Sequence, residues 1–94
     1  MFLLRLAYER PLAEVDALLP AHRQYLEAMY RAGIFLLSGR TEPRDGGIIL
    51  ASAATLAELQ SALALDPLQA VASYTVIEFL PSMAAPALAS LVAG

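Results

Sequence analysis

The chain has 94 residues, a formal charge of −3, no cysteine and a single histidine, which suits one domain and excludes a disulfide framework, a thiol nucleophile, a zinc–thiolate site and an intrachain multi-histidine metal site. Charged residues make up 16% of the sequence and hydrophobic ones 59%, against about 25% charged in an average soluble domain. A partner subunit is the natural cover for that apolar excess, although nineteen alanines and six arginines with no lysine also fit a bias of coding composition.

The charges are spread without blocks, which argues against a nucleic-acid partner, and no apolar run reaches the roughly 20 residues of a membrane span. Met1 to Tyr8 lacks a basic region and a small-residue cleavage site, so no membrane partner and a cytoplasmic location are expected. Phe2 to Tyr8 is a short apolar run of strand length, closed by Glu9-Arg10-Pro11. Apolar residues then recur near helical spacing from Leu12 to Arg31. Pro20 divides this segment and suits a first helical turn, so the main helix is expected from about Pro20 to a left-handed cap at Gly33. Ile34 to Ser38 follows as a second strand.

Thr41 to Gly47 (TEPRDGG) concentrates turn formers, and the strand beyond it, Gly47 to Ser52, should pair antiparallel with the one before. Thr55 and Glu58 form a capping-box pattern for a helix to about Leu65, with Leu56, Leu59 and Leu63 as its apolar stripe. Asp66-Pro67 opens a further turn, and Tyr74 to Leu80 has strand composition ended by Pro81. The order β-α-β-β-α-β predicts an α+β, ferredoxin-like sandwich: a four-stranded antiparallel sheet with both helices on one face. A second copy is the simplest cover for the other face, giving a homodimer that is open to further association.

His22 is the only imidazole. In the first turn of a helix starting at Pro20, the dipole would disfavour its charged form, and Asp66 is the best carboxylate to orient it for proton transfer. The plain alternative is an exposed helix-terminal histidine and an aspartate that caps the Pro67 turn. Ser38 is a lone hydroxyl in an apolar strand, able to bond a ligand carbonyl or a backbone group. It lies in no Gly-x-Ser-x-Gly elbow. Arg5 and Glu78 both interrupt apolar strands and are expected to pair on one sheet face, unless Arg5 points into a cavity and orients an anionic or enolate-like ligand. Tyr25, one turn after His22, is either core or cavity lining, and Tyr8 and Tyr74 are ambiguous.

Pro20-Ala21-His22-Arg23-Gln24-Tyr25-Leu26, the Gly33 stop followed by Leu37-Ser38-Gly39, Asp66-Pro67-Leu68 and Tyr74 to Phe79 together resemble the YciI-like (YCII-related) family over about residues 2–81. The order and spacing of these short motifs carry the resemblance. It implies a dimeric α/β barrel with a small-molecule cavity between two sheets, and an active-site dyad at His22 and Asp66. Two departures stand out. Gly39-Arg40 replaces a common Gly-Pro, and an apolar tail, residues 82–94, extends beyond the match.

The leading expectation is a small enzyme without cofactor or metal, acting by lyase- or isomerase-type proton transfer on a cyclic or carbonyl-bearing metabolite. His22 and Asp66 would be catalytic, with Ser38, Arg5 and Tyr25 facing substrate. The alternatives are a noncatalytic ligand-binding or protein-interaction domain, and a stress-protective or transport-associated subunit whose partner is encoded elsewhere.

Overall fold

Phe2, Leu4 and Leu6 alternate with Leu3, Arg5 and Ala7, and this period of two builds strand β1, Phe2–Tyr8. The computed structural model describes residues 1–92. Helix α1 spans Leu12–Arg31, β2 Phe35–Arg40, β3 Gly46–Ala51, α2 Leu56–Leu63 and β4 Ala72–Glu78. The sheet order is β2-β3-β1-β4, antiparallel throughout, which is the ferredoxin-like arrangement. Phe2, Leu4 and Leu6 are buried with Val15 and Tyr25 of α1, Leu59 and Leu63 of α2, and Phe35 and Ile49 of the neighbouring strands.

The C-terminal stop of α1 lies where expected, with Gly33 at φ 75°, a conformation that glycine adopts without a Cβ clash. Its start does not. Pro20 lies inside a helix that begins eight residues earlier. A proline in a helix interior costs about 3 kcal/mol through its missing N–H and its clash with the preceding turn. Here the buried Val15 and the half-buried Leu18 and Leu19 before the proline continue the stripe of Tyr25, Leu26 and Met29 after it, and that packing outweighs the penalty. His22 therefore lies mid-helix, and the dipole argument for its charge state falls away.

Strand β4 begins two residues earlier than its composition predicts, because Ala72 pairs with Tyr8. In this register Arg5 lies opposite Thr75 and Phe2 opposite Glu78, so alternation places Arg5 and Glu78 on opposite faces. The expected ion pair between them does not form. Arg5 instead faces the side of the sheet that carries no helix, among Leu3, Ala7, Ile48, Leu50 and Ile77. Leu37, paired with Leu50, is 67% exposed there and Ile77 is 53% exposed.

Beyond the sheet, Pro86–Leu91 forms a short 3₁₀ turn with no buried residue, and Met83 before it is 90% exposed. Among the described residues no helix is long and apolar enough to cross a membrane.

Gly46 opens β3 against β1, where a Cβ would stand 1.8 Å from the Leu6 carbonyl oxygen, while one on Gly39 would meet nothing within 4 Å. Backbone has to move to admit the first and not the second. Gly46→Ala should therefore lose about 1–3 kcal/mol of stability, whereas Gly39→Ala should leave the urea midpoint nearly unchanged.

Candidate active site

Asp66 ends the loop after α2, and its extended backbone lets the side chain cap the 3₁₀ turn Pro67–Ala70. Its Oδ1 accepts the Leu68 backbone N–H at 2.9 Å. The same oxygen bonds the His22 Nδ1 at 2.8 Å, and Oδ2 accepts the Tyr74 hydroxyl at 2.5 Å. The capping role and the pairing with His22 thus belong to one carboxylate. Its side chain is 0% exposed and that of His22 12% exposed, and no buried side-chain polar atom lacks a partner among the described residues. A carboxylate acceptor assigns the proton to Nδ1, so Nε2 is the ring nitrogen left for a ligand.

Val15, Leu18, Leu19 and Leu26 anchor α1 to the sheet, and that packing presents His22 to a cavity of about 650 Å³, within the range of small-molecule sites. The cavity lies between α1 and the helix-facing side of β1, β2 and β3, and Leu68 also lines it. This space lies on the helix-covered side of the sheet, whereas the expected cavity between two sheets would lie on the open face.

Ser38 borders this cavity and shares a hydrogen bond with the Tyr30 hydroxyl, which ties the edge strand to α1. Tyr25 does not border it. Tyr25 is buried, donates to the Ala62 carbonyl at 2.7 Å, packs edge-on against Phe35 with ring centroids 5.8 Å apart, and supports the His22 ring from behind at 6.3 Å. Arg5 lies on the other face of the sheet.

The fold brings in two further groups to which the sequence alone assigns no role at the site. Tyr74 completes the Asp66 hydrogen bonds, and its place in β4, level with the buried Leu6, is the signal that could have revealed it. Arg23, Arg40, Arg44 and Asp16 also line the cavity, with Arg44 bonded to Asp16 across its mouth. They come from a helix face and a hairpin that only the folded chain brings together.

Comparisons with known proteins bear on the fold. The family model of the YCII-related domain matches residues 1–80. Among curated protein sequences none matches the chain. Among solved structures, 5-chloro-2-hydroxyhydroquinone dehydrochlorinase (TftG) from Burkholderia phenoliruptrix AC1100, in complex with 2,5-dihydroxybenzoquinone, is similar with a TM-score of 0.66 and 21% identity, over 86% of this chain and 95% of that one. The shared architecture is the ferredoxin-like fold.

Burial, and then the hydrogen bond to Asp66, hold the Tyr74 phenol well above its ordinary value of 10.0, and burial followed by the Asp66 charge does the same for Tyr25. Both phenols stay protonated in the fold while the unfolded chain loses theirs from about pH 10. Their contribution is therefore complete below pH 10 and declines as pH rises above it. Tyr74→Phe should cost about 1–3 kcal/mol at neutral pH by leaving Oδ2 without a donor, and should make the alkaline decline shallower in urea unfolding followed from about pH 8 to 11.

Proposed function

The chain belongs to the YCII-related family, and on that footing we propose that it is a small cofactor-independent enzyme of the lyase or isomerase type, with His22 moving a proton on a cyclic or carbonyl-bearing metabolite. The observation that carries this reading is the 2.8 Å contact between His22 Nδ1 and the buried Asp66 carboxylate, with the opposite ring nitrogen left for the cavity. In the proposed step Nε2 takes a proton from a carbon beside a carbonyl. The C–H electron pair passes into an enolate. In a lyase that pair then expels a leaving group; in an isomerase the imidazolium returns the proton to a neighbouring carbon. Asp66 remains a carboxylate throughout, orienting the ring and stabilising its cationic form.

The fold likeness to a dehydrochlorinase that holds a dihydroxybenzoquinone supports this choice of substrate, since loss of HCl also requires removal of a proton. In deuterated water the protein should accelerate exchange of ring C–H hydrogens in a panel of cyclic diketones and hydroxyquinones that includes 2,5-dihydroxybenzoquinone. His22→Ala should lower that rate by about 10²–10⁴-fold with the circular dichroism spectrum unchanged. Equal rates in the two proteins, or no acceleration over buffer across the panel, would remove the mechanism.

We further infer a homodimer in which a second copy covers the open sheet face, because Leu37 and Ile77 stand exposed there beside Leu3, Ile48 and Leu50. Light scattering at about micromolar concentration should give the mass of two chains for the natural protein and of one for a Leu37→Glu, Ile77→Glu double variant. A monomeric natural protein would end the dimer proposal.

A further inference from the structure

The chain is acidic overall, yet three of its six arginines line the one cavity that receives His22. Among the described residues Asp16 is the single carboxylate on that wall, and it is already bonded to Arg44. That pair fastens the hairpin to α1 and adds no net charge. Arg23 makes no ion pair among the described residues. Arg40 has only Glu42, at 3.9 Å with both side chains well exposed, a contact of the kind that contributes little. Arg23 follows His22 directly on α1, and Arg40 ends β2, so the cavity that receives the imidazole is lined by one guanidinium with no ion pair among the described residues and one that is only weakly paired.

We propose that this site takes a small planar organic oxyanion, a carboxylate or an ionised enol beside the reacting carbon, gripped by Arg23 and Arg40. The inference rests on the catalytic reading of the same cavity and names its substrate class. A guanidinium matches the two oxygens of such an anion with parallel N–H donors. It also serves the proton transfer, because removing a proton from a carbon beside an anionic group adds a second negative charge, and fixed cations at that position lower the barrier.

The test uses a charged and a neutral twin of one shape, benzoate and benzamide, followed through the arginine Nε–H and His22 ring signals by nuclear magnetic resonance. Benzoate should shift the Arg23 and Arg40 signals saturably and bind at least about tenfold more tightly than benzamide, with an affinity that falls as salt is raised. Arg23→Gln and Arg40→Gln should each weaken benzoate about tenfold, and Arg31→Gln, also on α1 but outside the cavity, should not. Equal binding of the two twins, absence of a saturable shift, or the same loss in Arg31→Gln would overturn the assignment. Its failure is separable from that of the mechanism: loss of anion selectivity with His22-dependent exchange intact removes only the substrate class, and anion binding with His22-independent exchange removes only the mechanism.

Discussion

One carboxylate joins three parts of the fold. Asp66 accepts from α1 through His22, from its own turn through the Leu68 N–H, and from β4 through Tyr74. Burying a charge in a domain this small is tolerable only when its lone pairs are taken, and here the partners that satisfy it also hold the imidazole at a fixed distance and in one tautomer. Stability and orientation of the ring are therefore the same set of bonds. The helix on the sheet, the closing turn and the last strand all have to be in register before the histidine is positioned.

The two faces of the sheet divide the work. On the helix-covered side, Leu4, Leu6 and Ile49 form the packed floor, and α1 stands off toward one end far enough to leave the cavity. On the open side, alternation along the same strands presents Leu3, Ile48, Leu50 and Ile77 around Arg5. Because successive residues of one strand serve opposite faces, a one-residue slip in register would exchange core and surface at once. The close approach of Gly46 to the Leu6 carbonyl helps to fix that register.

Much of this was readable from local chemistry. The strand period in Phe2 to Tyr8, the Thr55 cap with its Glu58 partner, the Gly33 stop and the Asp66-Pro67 turn each carry their own physical signal, and the element order assembled from them is the observed one. Pro20 is a breaker by local chemistry alone, and burial on both sides of it overrides that signal. The pairing of Arg5 with Glu78 failed for a related reason: adjacency of two strands does not fix register, and parity along β1 and β4 decides which side chains meet. The Arg23 and Arg40 pair was invisible because α1 and the β2 end are distant in sequence. His22 and Asp66 stood out individually, one as the only imidazole and the other as a turn cap; the family resemblance is what pairs them, and the fold closes the 44-residue separation between them.

From Phe79 to Gly94 no side chain can ionise, while the cavity wall is crowded with guanidinium groups. The tail and the cavity therefore answer to different solvent variables. Contacts made by the tail would be indifferent to ionic strength and would weaken on cooling, as apolar association does. Binding of an anion in the cavity would follow ionic strength.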